Sequence, residues 1–213
     1  MKPLVPILLT LCVLAGCRRT EVAPPYPERP PADMAYPTDP LSNARALLRQ
    51  GAYQQAFLVY RRIMTSSPSS LEQTQAKVGV AQCLMKMELY AGVIGTLSPL
   101  PLSPASELDR QILGLAGEAM LRQGDSRGAE SLLETALGDM YRSASTASWR
   151  AACCANLGYC YLKNDKPDKA AILYHRAADL FDRQGNRQAA EQAQAMADDL
   201  KGVIEQYRLE ASR

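Results

Sequence analysis

Residues 151–178 read AACCANLGYCYLKNDKPDKAAILYHRAA. In the first half Cys154, Leu157, Gly158 and Tyr161 stand at i, i+3, i+4 and i+7; in the second, Ala170, Leu173, Tyr174, Ala177 and Phe181 keep the same spacing. Each half therefore carries one apolar stripe at the helical period. Gly158 and Ala170, twelve residues apart, are small enough to let two helix backbones approach closely where a larger side chain would wedge them apart. The stretch reads as two short amphipathic helices folded back on each other around a polar turn.

Moving outward, the same pairing recurs: Ala44 with Ala56, Gly79 with Ala91, Gly117 with Ala129 and Gly158 with Ala170, each pair twelve residues apart. The pairs follow one another at 35, 38 and 41 residues, and a period in this range marks a stack of repeated units. Seven residues after each first member the spacing predicts a turn, at Gly51, Lys86, Gly124 and Asp165. Four after each second member comes Tyr60, Gly95, Leu133 or Tyr174, so the second copy departs most from the rest. With Leu157, Gly158, Tyr161, Ala170, Tyr174 and Ala177 at its small and large positions, the fourth copy resembles the tetratricopeptide repeat (TPR). The resemblance extends over residues 41–185 and implies an all-α, TPR-type helical-hairpin solenoid of about four repeats.

The boundaries of the helices are marked by caps and breakers. Helices are expected over Leu41–Gln50, from Tyr53 until Pro68, and to Lys86 from a capping box of Ser69 and Glu72. A short helix follows, interrupted at Ser98-Pro99-Leu100-Pro101. Ser103 with Pro104 is expected to start the fifth, which runs through Gln123 to a stop at Gly124. A sixth covers Ser126 to Met140, Arg142 to Thr146 form a polar loop, and the hairpin from Ala147 to Arg183 comes next. Residues 186–213 contain one long helix, Arg187 to Leu209, with Ala190, Ala193, Ala197, Leu200, Val203, Ile204 and Tyr207 on one face. It is expected to cap the apolar end that any solenoid exposes, since Glu191, Asp198, Asp199, Lys201 and Glu205 lie on its other side.

The amino-terminal segment is different in kind. Lys2 precedes Leu4–Leu14, an apolar stretch of eleven residues, too short for a bilayer that needs about 20. Residues 1–16 read as a signal peptide ending in Leu14-Ala15-Gly16-Cys17. This tetrapeptide resembles the lipobox of bacterial lipoproteins, which implies diacylglycerol on the Cys17 thiol, cleavage before it and acylation of the new amino group. Such chains anchor stably, because each buried methylene contributes roughly 0.8 kcal/mol. Arg18 in place of Asp after the cysteine implies, by the enteric sorting rule, the outer membrane and a periplasm-facing domain. Residues 17–40 hold Pro24, Pro25, Pro27, Pro30, Pro31, Pro37 and Pro40 and read as a stiff tether. From Arg18 to Pro40 it could reach on the order of 70 Å at about 3.1 Å per residue.

Composition narrows the function. Lys plus Arg total 24 against 22 for Asp plus Glu, in a chain of 213 residues that is 47% hydrophobic and 6% aromatic. A net charge of +2 with dispersed charges gives no footprint for nucleic acid. His175 is the one histidine and has no cysteine or carboxylate at metal spacing, so no metal site is expected and no cofactor is implied. Cys83, Cys153, Cys154 and Cys160 read as buried small apolar residues. No catalytic loop or triad motif appears, and the chain reads as a binder rather than an enzyme.

A cation recurs near the end of each repeat's first helix: Arg49, Lys86, Arg122 and Lys163. In the TPR family first helices line the groove in which peptides bind, so the resemblance makes Arg45, Arg49, Glu118, Arg122, Tyr159 and Lys163 candidate groove residues. The helix dipole alone also favours cations there, by about 0.3–1 kcal/mol. The whole outline is similar to TPR lipoproteins of pilus and secretion systems, pilotins included, and to the TPR-like lipoprotein of the outer-membrane β-barrel insertion machine. It implies a lipid-anchored scaffold for protein subunits of an envelope assembly. Regulation of cell-wall enzymes, or a groove that takes a small ligand or glycan, are the alternatives.

Overall fold

A computed structural model describes residues 39–101, 104–138 and 148–211, the side chains of residues 148 and 206–211 excepted. All lie within the unit Asp33–Arg213. Cys17, the signal segment, the tether before Asp39, Ser103, Met140 and the loop from Arg142 to Thr146 fall outside the described residues.

Every regular element among the described residues is a helix. They are α1 (Pro40–Arg49), α2 (Tyr53–Ser66), α3 (Ser70–Lys86), α4 (Tyr90–Leu97), α5 (Glu107–Arg122), α6 (Ser126–Leu137), α7 (Ser148–Lys163), α8 (Pro167–Arg183) and α9 (Arg187–Ala211). None is long and apolar enough to cross a membrane. Pro40 opens α1: Asp39 caps it by accepting from the Leu41 amide at 3.0 Å, and a proline at the first helical position gives up an N–H that had no partner to lose.

Five turns share one backbone device. Gly51, Glu88, Gly124, Asp165 and Gly185 all have φ between 58° and 91°. At each, the amide of the left-handed residue donates to the carbonyl three residues back and the next amide to the carbonyl five back, as in Gly124 to Leu121 and Asp125 to Met120, both 3.0 Å. This double closure satisfies the last carbonyls of the helix. Counted from it, the residue seven before and the residue five after meet between the helices: Ala44 and Ala56, Gly117 and Ala129, Gly158 and Ala170. A β-carbon on Gly117 would come within 2.7 Å of Leu133 Cγ, and one on Gly158 within 3.4 Å of the Ala170 carbonyl oxygen.

The second hairpin corrects the sequence reading. Its turn is at Glu88, two residues beyond Lys86, and the facing pair is Ala81 and Val93 in place of Gly79 and Ala91. Burial decides this register. Val93 and Leu97 are fully enclosed, whereas Ala91 and Gly95 face solvent. Enclosing two branched side chains gains about 1.5–3 kcal/mol each, more than the roughly 1–2 kcal/mol that a left-handed Glu88 costs. With the shift, Leu97 supplies the bulk that the second copy had lacked at Gly95. Gly79 instead serves the packing of one repeat on the next, lying beneath the ring of Tyr60.

Two boundaries and one cap also differ. α5 is capped by Ser106, not Ser103, because Ser106 and Asp109 form a reciprocal capping box that satisfies two amides where Ser103 with Pro104 would satisfy fewer. α6 stops at Leu137, since Gly138 takes φ +48°. Ser69 caps α3, but the Glu72 carboxylate accepts from the Ser67 hydroxyl at 2.6 Å rather than returning to Ser69.

Each helix packs on its neighbours in sequence, and α1, α3, α5 and α7 also touch one another in order, forming a row of first helices. Two buried clusters fill the stack, one around Tyr60, Leu84, Val93 and Leu97, the other around Leu133, Cys154, Leu157 and Tyr174; Leu100 and Leu132 pack against both. α7 is clamped to α5 through Glu107, whose carboxylate accepts from Trp149 Nε1 and Arg150 Nη2, each at 2.8 Å. α9 lies along α8 with Ala190, Ala193 and Ala197 buried, as a covering helix must; Leu200, Val203 and Ile204 are only half-buried.

Candidate functional site

The six groove candidates come to lie as i, i+4 pairs near the ends of three first helices. Arg45 and Arg49 are exposed on α1, and Arg45 Nη2 reaches Gln75 Oε1 on α3 at 3.4 Å. On α5, Glu118 and Arg122 form an ion pair at 3.7 Å. On α7, the Lys163 ammonium sits 5.5 Å from the centroid of the Tyr159 ring. The α5 and α7 pairs are on adjacent first helices, whereas α3 separates the α1 pair from them. The six therefore mark a strip and do not converge on one point.

The corrected turn places Lys86 two residues before its left-handed residue, the same position that Arg49, Arg122 and Lys163 occupy before theirs. Arg183 occupies it too, before Gly185, although α8 is not a first helix. The helices that end without this turn, α2, α4 and α6, have no cation in the last turn. The cation thus accompanies the turn, where the dipole also favours it, whether or not the helix belongs to the first-helix row. Surroundings distinguish Arg122: with Glu118 it acts on the Tyr90 phenol at the start of α4, whose pKa burial and Glu88 raise and Arg122 opposes.

Asn164, in the α7–α8 turn, ties the fourth hairpin to the third. The Ser126 hydroxyl donates to Asn164 Oδ1 at 2.9 Å, while Asn164 Nδ2 and Lys166 Nζ both donate to the Glu130 carboxylate. Burial pushes the Glu130 carboxyl up, but the bonds from Lys166 and Asn164 outweigh it and hold it below its ordinary value. Arg127 and Lys163 border the same polar cleft, of about 390 Å³.

Cys83, Cys153, Cys154 and Cys160 are free and buried. Desolvation raises every one of these thiols, Cys83 and Cys160 to about 12 and Cys154 to about 11, so none is primed as a nucleophile or metal ligand. His175 is exposed, its Nδ1 3.0 Å from Gln194 Oε1 on α9. Among the described residues no group of three or more His, Cys, Asp or Glu is placed to hold a metal ion.

One feature was missed from sequence. A groove of about 900 Å³ runs between α8 and α9, floored by Ala171, Ile172 and Ile204 and edged by Asp168, His175, Lys201 and Glu205. Ile172 is 70% exposed there. The available signal was Ile172 itself, an isoleucine standing off the apolar stripe of Ala170, Leu173, Tyr174 and Ala177.

No family model matches the chain, and no curated protein matches it. Solved structures do. The TPR-like repeats of a kinesin light chain from Podosopora anserina, in a single-substitution variant, superpose with a TM-score of 0.52 at 15% identity, over 78% of this chain and 95% of that one. MamA matches with a TM-score of 0.46 at 15% identity, over 77% of this chain and 97% of its own. At 15% identity the likeness to the kinesin light chain repeats concerns the fold alone, and with the five equivalent turns and the row of first helices it gives the architecture: an all-α solenoid of TPR-type helical hairpins.

Proposed function

We propose that the chain is a lipid-anchored, periplasm-facing scaffold that holds protein subunits of an envelope assembly of the pilus or secretion type. On this reading residues 1–16 are removed, Cys17 carries the acyl chains, 17–40 form the tether, hairpins over 41–185 bind the partner and 186–213 cap the stack. The lipobox-like Leu14-Ala15-Gly16-Cys17 supports the anchor. The observation that carries the binding role is the pairing of Glu118 with Arg122 and of Tyr159 with Lys163 on adjacent first helices. Two exposed cations there, each steadied by an i, i+4 partner, offer an extended segment with acidic side chains two charge-assisted contacts. The raised thiols and the amide-bound His175 favour binding over catalysis.

In-cell crosslinking of the intact chain, followed by purification and mass spectrometry, tests this. A stoichiometric secretin, pilus or insertion-machine subunit is expected, with recovery cut about tenfold in Arg122→Ala/Lys163→Ala at unchanged helicity. Recovery alone or with wall polymer would overturn the assembly role in favour of a cell-wall or glycan ligand. A Cys17→Ser variant that still incorporates labelled fatty acid and stays with membranes would overturn the anchor.

A further inference from the structure

We infer that the row of first helices takes a partner segment in the polyproline conformation, with a carboxylate at every third residue. The inference rests on the binding role proposed for that row and names the chemistry of what it holds. Arg49, Lys86, Arg122 and Lys163 each stand two residues before a left-handed turn or its equivalent, and all four are exposed. α1, α3, α5 and α7 touch in order, so the row sets these four side by side. The dipole accounts for a cation on each helix, but only the packing of helix on helix makes a ladder of them. Arg183 holds the same position on α8 and stands outside the row.

Charge is concentrated along this ladder. The residues six before the same turns are Arg45, Gln82, Glu118 and Tyr159, so one carboxylate faces five cations in a chain whose net charge is only +2. Glu118 is engaged by Arg122, while Arg45, Arg49, Lys86 and Lys163 form no ion pair among the described residues. Spacing then selects the ligand. Packed helices lie about 8–10 Å apart, and a polyproline helix, with three residues per turn at about 3.1 Å each, returns a side chain to the same face after about 9 Å. A β-strand repeats its face about every 7 Å and an α-helix about every 10.5 Å, over seven residues; the first falls short of the spacing and the second exceeds it. Laid across the row, about ten residues of polyproline helix set four carboxylates against four cations. Such a backbone has no internal hydrogen bonds, and the half-buried amides of Gln82 on α3 and Gln111 on α5, on the cations' side of their helices by the helical period, are placed to bond it.

The test measures, by fluorescence anisotropy with the full-length chain in detergent micelles, the binding of a labelled peptide of four Glu-Pro-Pro repeats. Saturable binding is expected, lost when glutamine replaces glutamate and about fivefold weaker when the four glutamates stand at every fourth residue instead of every third. Lys86→Ala should weaken it about threefold and Lys86→Ala with Arg122→Ala about tenfold. Arg183→Ala, which removes a cation of the same kind from outside the row, should leave it unchanged. Circular dichroism of each variant checks that the helices persist. No binding, equal affinity for the every-fourth peptide or for a helical peptide with glutamate at every seventh residue, indifference to Lys86→Ala, or an equal loss with Arg183→Ala would each overturn the inference. Recovery of an envelope subunit from cells with this peptide unbound would remove the inference and leave the scaffold reading standing; in-register binding of the peptide with no subunit recovered would do the reverse.

Discussion

The ring of Tyr60 fills the space over Gly79 so closely that a β-carbon there would stand 2.4 Å from Cε1. Tyr60 is 2% exposed and belongs to the first hairpin, so this contact sets how the second repeat seats on the first. Gly79→Ala must displace the ring and should destabilise by about 1–3 kcal/mol. Gly95→Ala, in α4 with nothing within 4 Å of a β-carbon, should stabilise by about 0.5–1 kcal/mol. Urea denaturation of both variants measures the contrast.

Glu88 performs with φ +61° the task that glycine performs at Gly51 and Gly124. Glu88→Gly should therefore raise stability by about 0.5–1 kcal/mol, the relief of the left-handed strain less the flexibility glycine adds to the unfolded chain. Asp165→Gly should gain less, because aspartate tolerates this conformation better, and because the neighbouring Asn164 bonds already fix the turn. Thermal melts followed at 222 nm compare the two.

Glu107 joins α5 to α7 and is the hydrogen-bond acceptor for the protein's single tryptophan. Burial pushes its carboxyl up, yet the bonds from Arg150 and Trp149 prevail and hold it below 4.5. The sign follows from linkage: a lowered folded value means the clamp contributes fully above the ordinary carboxylate range and is lost as pH falls below 4.5 through the folded value. Trp149 emission should shift to the red across that window before far-ultraviolet circular dichroism changes, and Glu107→Gln should abolish the separate transition.

Cys83, Cys153, Cys154 and Cys160 should resist alkylation at pH 8 in the folded protein and react together on unfolding, since the thiolate is the reactive form and desolvation opposes it at each. Mass-mapped labelling with iodoacetamide across a urea gradient reads this out. Early labelling of Cys160 alone would mean that the fourth hairpin opens before the rest.

Much of this architecture was legible in the sequence because small residues and turn residues answer to local rules. Gly117 with Ala129, and Gly158 with Ala170, had to be small for the helices to touch, and Gly51, Gly124 and Gly185 advertise a left-handed backbone. The second hairpin defeated the same logic. Its turn residue is a glutamate, and the choice between Gly79 with Ala91 and Ala81 with Val93 depends on which side chains find a buried place, which is a tertiary fact. The start of α5 was misplaced because two serines compete and only the one with Asp109 three residues on can close the box. The groove at Ile172 was invisible for a related reason: a periodic pattern reveals the buried stripe of a helix and is silent about an apolar residue on its outer face. The candidate strip was legible as a recurrence of charge, and the equivalent position of Arg183 shows how much of that recurrence belongs to the turns.

Every substantial helix contact is with the first or second neighbour along the chain. Length is thereby separable from shape. A hairpin inserted or deleted between two others would meet interfaces of the same kind on either side, lengthening or shortening the row of first helices by one unit without asking any distant residue to change. Such a molecule can be refitted to a longer or shorter target by duplication rather than by redesign, and the cost of each trial is confined to the two junctions it creates.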